Sequence, residues 1–215
     1  MKVERRHMLL YAVTDRSWLH GQSLVYAVEE VLAGGATMLQ LREKHLEHRD
    51  FLAQAQELLP LCRKYHVPLI INDDVQVALE SGADGVHVGQ SDMAVQAARS
   101  ILGPDKIIGA SAHNASEALA AVAAGADYLG CGAVFGSTTK ADAGLLSLNT
   151  LREIRAAVRV PIVAIGGINR QNIARLAGSG VDGVALISAL FAAPDKRAAA
   201  QQMLEQSLKI AGGER

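Results

Sequence analysis

Gly82-Ala83-Asp84-Gly85-Val86-His87-Val88-Gly89-Gln90-Ser91-Asp92 packs a helix stop, a short apolar strand and a polar strand end into consecutive residues. Its opening recurs. Gly34-Gly35-Ala36 precedes Met38-Leu39-Gln40-Leu41, Gly125-Ala126-Asp127 precedes Tyr128-Leu129-Gly130, and Gly180-Val181-Asp182 precedes Gly183-Val184-Ala185-Leu186. The glycine supplies the left-handed residue that stops a helix, and the strand follows after almost no loop.

Working outward, the segments between strands are amphipathic helices. Leu24, Ala27, Val28, Val31 and Leu32 share one face at period 3.6, as do Leu52, Ala55, Leu58, Leu59 and Cys62. Asn114 with Glu117 resembles a capping box ahead of a helix over 117–124. Strands are expected over 8–13, 37–41, 68–71, 84–88, 106–109, 127–131, 161–165 and 182–187. Runs apolar on both faces indicate a parallel sheet covered by helices. Eight strands alternating with helices, with no linker or low-complexity break, predict an α/β fold: one (β/α)₈ TIM barrel spanning 1–215. A doubly wound open sheet is the runner-up, but Thr14-Asp15-Arg16 follows the first strand where that fold would carry a glycine-rich turn.

Composition narrows the function. Lys+Arg is 21 against Asp+Glu 22, so no bulk charge draws in nucleic acid or an anionic membrane. No apolar run is long enough for a spanning helix, and no signal-like core follows the charged residues 1–7. Two cysteines, Cys62 and Cys131, are too few for a disulfide framework. The expectation is a cytoplasmic enzyme acting on small molecules; self-association into a homo-oligomer is compatible with the sequence.

In such barrels chemistry sits where strands end. The second strand ends in Gln40-Leu41-Arg42-Glu43-Lys44, with Arg42 and Lys44 on one side of an extended segment, suited to phosphate oxygens. The third ends in Asn72-Asp73-Asp74 and the fourth in Gly89-Gln90-Ser91-Asp92. Asp73 or Asp74 can converge with Asp92 on Mg²⁺. Equally, these residues suit helix N-caps, Asp74 above all. The fifth ends in Ser111-Ala112-His113. The sixth enters a long loop of small, hydroxyl and cationic residues, Ser137, Thr138, Thr139 and Lys140 among them. The seventh and eighth end in Ile165-Gly166-Gly167-Ile168 and Ile187-Ser188, the usual phosphate loops of barrels. Two anion sites suggest two phosphorylated substrates or one long one. With no Ser/His/Asp set, Cys/His pair or zinc-spaced cluster, loss of diphosphate helped by Mg²⁺ and fixed cations fits best.

In order along nearly the whole chain, these segments resemble the thiamine phosphate synthase family. The matching pieces are Tyr11-Ala12-Val13-Thr14-Asp15, Gln40-Leu41-Arg42-Glu43-Lys44, Ile71-Asn72-Asp73, Gly85 through Asp92, Gly109-Ala110-Ser111-Ala112-His113, Gly125-Ala126-Asp127-Tyr128, Thr139-Lys140 and Ala164-Ile165-Gly166-Gly167-Ile168. The resemblance implies a transferase that couples hydroxymethylpyrimidine diphosphate to thiazole phosphate, or its carboxylate, giving thiamine phosphate and pyrophosphate. It implies Mg²⁺ on Asp73 and Asp92. Gln40, Leu41, Arg42, Glu43, Lys44, Asn72, Ser111 and Lys140 would then bind the pyrimidine diphosphate, with Arg42, Lys44, Ser111 and Lys140 catalytic. Ser137, Thr138, Thr139, Gly167, Ile187 and Ser188 would bind the thiazole phosphate. One departure stands out: Gly136-Ser137 replaces the family's common Pro-Thr. The rivals are a thiazole tautomerase on the same barrel, which resembles this chain around His113 but tends to lack the aspartate pair, and a non-catalytic phosphate-ligand barrel. His87 is expected to point into the barrel.

Overall fold

The computed structural model describes residues 3–19, 21–90, 92–136 and 145–211. Eight strands form the centre: β1 (Leu10–Val13), β2 (Met38–Leu41), β3 (Leu69–Asn72), β4 (Gly85–Val88), β5 (Ile107–Ala112), β6 (Tyr128–Cys131), β7 (Ile162–Ile165) and β8 (Gly183–Leu186). Each pairs in parallel with the next, and β8 pairs with β1, so the sheet closes. The (β/α)₈ barrel is confirmed over the open sheet. Around it lie α1 (Leu24–Ala33), α2 (His48–Lys64), α3 (Val75–Ser81), α4 (Val95–Leu102), α5 (Ala115–Ala123), α6 (Leu148–Ala157), the short α7 (Ser188–Phe191) and α8 (Lys196–Ala211). A 3₁₀ turn over Ile173–Leu176 takes the seventh crossover.

The recurring glycine does what its spacing implied. Gly35, Gly82, Gly125 and Gly180 have φ of 99°, 74°, 102° and 84°, a region that costs an L side chain roughly 1–2 kcal/mol. The residue two positions on has a role the sequence reading did not assign. In every even-numbered strand it clamps the preceding strand by main chain and side chain together. Leu10 N–H donates to Thr37 Oγ1 (2.9 Å), Leu69 N–H to Asp84 Oδ2 (2.8 Å), Ile108 N–H to Asp127 Oδ2 (2.8 Å) and Ile162 N–H to Asp182 Oδ2 (2.9 Å). The backbone N–H of each clamp residue donates back to the same partner's carbonyl at 2.7–2.9 Å. Two clamps are charged further: Arg99 donates to Asp127 at 2.6 Å, and Arg155 to Asp182 at 3.0 Å.

Packing divides into two shells. Inside the strands, Met8, Tyr11, Met38, Ile70, Ile107, Tyr128, Val163 and Ala185 form a small inner core. Outside, the other strand face meets the helices, and α1 buries Leu24, Ala27, Val28, Val31 and Leu32 as spaced. On α2 the buried stripe begins at Phe51, not Leu52, because Phe51 continues the row of Ala55, Leu58 and Cys62 at i+4, i+7 and i+11. Residues Arg5–Met8 form a 3₁₀ turn, so the first strand starts at Leu10 rather than 8. The fifth strand runs three residues further than expected, to Ala112, which puts Ser111 on the strand itself.

The caps sort as anticipated with one variation. Asp74 caps α3, accepting from Val77 N–H at 2.8 Å. Asn114 caps α5, accepting from Glu117 N–H at 2.9 Å, but the Glu117 carboxylate takes His113 N–H and Nδ1 (both 2.8 Å) on one oxygen and the Asn114 side-chain amide (2.7 Å) on the other, rather than closing the box on Asn114's backbone N–H. Among the described residues no helix is long and apolar enough to cross a membrane. Both cysteines are free and buried.

Removing a charged clamp should cost more than removing a neutral setting. Asp182, only 4% exposed, also faces Arg5 at 3.3 Å, so Asp182→Ala leaves a half-buried Arg155 and a strand N–H without their acceptor. The expected loss is about 3–5 kcal/mol in urea unfolding. Asp84→Ala, which forfeits an N–H acceptor with no arginine on it, should lose about 1–3 kcal/mol. Equal losses would show that the arginine adds nothing.

Candidate active site

The barrel's carboxyl end opens into a cavity of about 140 Å³. It is lined by Gln40, Arg42, Asn72, Asp73, Ser111, Gly167, Ile187 and Ser188 of the expected residues, together with Tyr11, Val13, His87, Gly89 and His113. Eight strand ends thus bring the two expected anion regions to opposite walls of one space.

The cation wall is built by β1 and β2. Arg42 is 8% exposed, and its guanidinium donates to Asp15 Oδ2 at 3.2 Å. Its backbone N–H donates to Thr14 Oγ1 at 2.9 Å, and Thr14 N–H donates to the Gln40 carbonyl at 3.0 Å. Thr14 and Asp15, noted in the sequence only as an argument against a dinucleotide turn, therefore hold the arginine in place. The rest of the segment divides. Leu41 is fully buried on the helix-facing side, so its side chain cannot reach the cavity. Glu43 is tied to Arg16 at 2.7 Å, and burial raises its carboxyl above the ordinary range although Arg16 pulls the other way. Lys44 is exposed and outside the cavity lining, so Arg42 and Lys44 do not share a wall.

The carboxylates come from β3 and the loop after β4. Asp73 lines the cavity with φ 65°, one of two non-glycine residues in the left-handed region among those described. Such strain is held only where surroundings impose it, often at functional sites. Its N–H donates to the His87 carbonyl at 2.8 Å, which lashes the end of β3 to β4. Asp92 folds back over that end, accepting from Gly89 N–H at 2.6 Å. Among the described residues no cluster of three or more His, Cys, Asp or Glu could hold a metal. Two carboxylates nevertheless suit Mg²⁺, which keeps waters and takes substrate phosphate oxygens alongside one or two protein carboxylates.

The phosphate wall is backbone. Val134 and Phe135 donate to the carbonyls of Ile165 and Gly166 at 3.0 Å, so the sixth loop runs along the seventh. A Cβ on Gly167 would lie 2.6 Å from the carbonyl oxygens of both Phe135 and Gly136. Arg175 stacks on Phe135, 4.8 Å from the ring centre. A side recess lined by Phe135, Gly136, Gly167, Ile168 and Ser188 continues from the cavity. Ser188 opens α7, whose first N–H groups have no helical partner. Ser137, Thr138, Thr139 and Lys140 lie outside the described residues.

Deep in the cavity is a chain of polar groups that sequence reading mostly missed. Gln40 Nε2 donates to Tyr11 OH (2.7 Å), which bonds Tyr128 OH (2.7 Å). Tyr128 bonds His87 Nδ1 (3.0 Å), and His87 Nε2 bonds Ser111 Oγ (3.1 Å). His87 points inward, as expected. Tyr11 and Tyr128 carried a signal that went unused: Tyr11 alternates with Val13 on the inner face, and Tyr128 follows the clamp residue Asp127. Burial raises both phenols well above their usual range.

One cavity thus carries a buried arginine, open glycine-rich backbone and a chain of polar groups between them, and comparison with known proteins gives this barrel a class. Residues 10–190 match the family described as Thiamine monophosphate synthase. The chain is 48% identical to Thiamine-phosphate synthase of Clostridium novyi, covering 90% of this chain and 96% of that one. It is 52% identical to Thiamine-phosphate synthase of Chloroflexus aurantiacus, covering 90% of each. The solved Thiamine phosphate pyrophosphorylase of Pyrococcus furiosus superposes with a TM-score of 0.88 at 40% identity, covering 96% of this chain and 98% of that one. The chain belongs to the thiamine-phosphate synthase family of transferases.

Gly167→Ala tests the backbone wall. Its φ of 63° and the two carbonyls at 2.6 Å predict a loss of about 2–4 kcal/mol, combining backbone strain and overpacking. Gly178→Ala, at φ 71° with open space around it, should lose only about 1–2 kcal/mol. Thermal protection by inorganic phosphate should vanish in the first variant and survive in the second.

Proposed function

We propose that this chain joins 4-amino-5-hydroxymethyl-2-methylpyrimidine diphosphate to thiazole phosphate, or its carboxylate, with Mg²⁺ required. The observation that carries this reading is a cavity with a buried, pre-aimed Arg42 and the Asp73 carboxylate on one side and an open glycine-rich backbone on the other, Asp92 standing exposed on the loop after β4 outside that lining.

In this reading the pyrimidine diphosphate lies against Gln40, Arg42, Asn72 and Ser111. Asp73 and Asp92 would hold Mg²⁺, which supplies charge stabilisation for the departing diphosphate when bound. Lys44 joins the catalytic set only if its loop folds inward over substrate, and Lys140, from the sixth loop, would complete it. Gly167, Ile187 and Ser188, with Ser137, Thr138 and Thr139 from the sixth loop, would take the thiazole phosphate. The C–O bond between the pyrimidine methylene and the diphosphate breaks, and its electron pair leaves with the diphosphate. Arg42 is held by Asp15 for that charge and needs no reorganisation when it develops. The thiazole nitrogen's lone pair then forms the new C–N bond, so no residue has to remove a proton. With the carboxylated thiazole, carbon dioxide leaves afterwards. Phosphorylated substrates do not cross membranes unaided, which favours a cytoplasmic setting.

The test is a coupling assay. Pyrophosphate should appear only with both substrates and Mg²⁺ present, and EDTA should abolish it. Isomerisation of thiazole phosphate alone would assign the tautomerase reaction, and calorimetric binding without turnover a non-catalytic barrel. Asp92→Ala should raise the Mg²⁺ concentration needed for half-maximal rate by about tenfold or more, the scale seen when a metal's supporting groups are removed. Asp15→Asn should lower turnover through Arg42 by about tenfold, since a charge-assisted hydrogen bond contributes about 1.5–3 kcal/mol. An unchanged rate would remove Asp15 from that role.

A further inference from the structure

The polar chain across the barrel floor has a direction. Each phenol hydroxyl has one proton, so each can donate only once. Gln40 Nε2 donates to Tyr11 OH, and Tyr11 then has its proton for Tyr128 OH, 2.7 Å away. Tyr128, now accepting from Tyr11, sends its own proton to His87 Nδ1 at 3.0 Å. An Nδ1 that accepts cannot carry hydrogen, so the ring's proton sits on Nε2 and faces Ser111 Oγ at 3.1 Å. Ser111 accepts from His87, which leaves its hydroxyl proton for the cavity that it lines.

We propose that Tyr128 is a positioning residue: by relaying the polarity of Gln40 through Tyr11 to His87, it fixes the His87 tautomer and turns Ser111 into an obligate donor toward the cavity. The chain runs from β2 through β1, β6 and β4 to β5, so it links sites that the sequence keeps far apart. Both phenols are fully buried, and the Tyr128 ring stands where a Cβ on Gly109 would overlap it, so a glycine at that position makes the arrangement possible. The Tyr11 and Tyr128 rings meet edge to face with centroids 5.8 Å apart, which keeps the two hydroxyls in register.

Polarity matters for chemistry. In the opposite direction Ser111 would spend its proton on His87 and present only lone pairs, which repel an anion. In the proposed direction it presents a donor. What that proton meets, a diphosphate oxygen, rests on the function proposed above; the tautomer of His87 does not.

The experiment is long-range ¹H–¹⁵N correlation on the full-length chain with ¹⁵N-histidine, the His87 signals being those lost in His87→Asn. The wild-type chain should show His87 as the Nε2–H form. Gln40→Glu should reverse it to the Nδ1–H form, because an ionised carboxylate can only accept from Tyr11 and every link then turns around. An Nδ1–H ring in the wild type, or a ring unmoved by Gln40→Glu, would overturn the proposal. In kinetics, Tyr128→Phe should lower kcat about tenfold with KM for thiazole phosphate unchanged, and no more than about twofold further in a Ser111→Ala background. Full and independent losses in the two backgrounds would show that Tyr128 does not act through Ser111. A chain that fails to couple the substrates but keeps the Nε2–H ring would sink the proposed reaction and leave the relay standing.

Discussion

A closed parallel barrel of strands mostly four residues long has little ladder to hold it, and its closure depends on how each strand is started. The clamp at the even-numbered strands answers that constraint. Thr37, Asp84, Asp127 and Asp182 each engage one residue of the preceding strand twice, through N–H and through a side-chain oxygen. The pair fixes register at the amino end, where no pleat residue precedes to share the task. A one-residue slip would turn every inward side chain outward. The left-handed glycine two residues upstream delivers the clamp residue immediately after its helix, so the same three-residue unit both ends a helix and sets a strand.

Register set at one end is geometry delivered at the other. With β1 and β2 locked by Leu10 and Thr37, Thr14 at the far end of β1 meets the backbone of Arg42, and Asp15 meets its guanidinium. With β3 and β4 locked by Leu69 and Asp84, Asp73 N–H reaches the His87 carbonyl. The described site is therefore tied by hydrogen bonds where its strands end. That is why Arg42 can be a buried cation, whereas Lys44, two residues later and beyond the strand, is exposed.

Much of this was legible in the sequence because it rests on local rules. The face of α1, the left-handed glycines, the Asp74 cap and the inward His87 each follow from spacing within a few residues. What escaped reading depends on partners far away in the chain. Tyr11 and Tyr128 are 117 residues apart, and nothing in either neighbourhood announces the other. Thr14 and Asp15 matter only because β1 lies beside β2. The extended reading of Gln40 to Lys44 failed beyond Arg42 because the strand ends at Leu41, after which alternation no longer predicts a shared wall. Phe51 displaced Leu52 from the buried stripe because the orientation of a helix on its barrel is set by packing, which periodicity leaves uncertain by one position.

The cavity's polarity is ordered in a way that suits an electron-poor carbon. A pyrimidine methylene that has lost diphosphate would alkylate any strong nucleophile close by. Among the described residues the lining offers Gln40, Asn72, Ser111 and the Tyr11 phenol, which burial keeps protonated, beside the imidazoles of His87 and His113. Both ring nitrogens of His87 are engaged, by Tyr128 OH and Ser111 Oγ, and His113 Nδ1 meets the Glu117 carboxylate. Neither thiol faces the cavity: Cys62 and Cys131 belong to the outer shell, and burial pushes both up to about 12. Asp73 lines the cavity at the end of β3, where a bound cation would meet it, whereas Asp92 is exposed on the loop after β4 and outside that lining. Charged side chains thus lie at the strand ends, and the floor between them is a chain of hydrogen-bonding groups. A floor whose polar atoms are already engaged with one another leaves few lone pairs facing the cavity, which in the proposed reaction favours attack by the thiazole nitrogen.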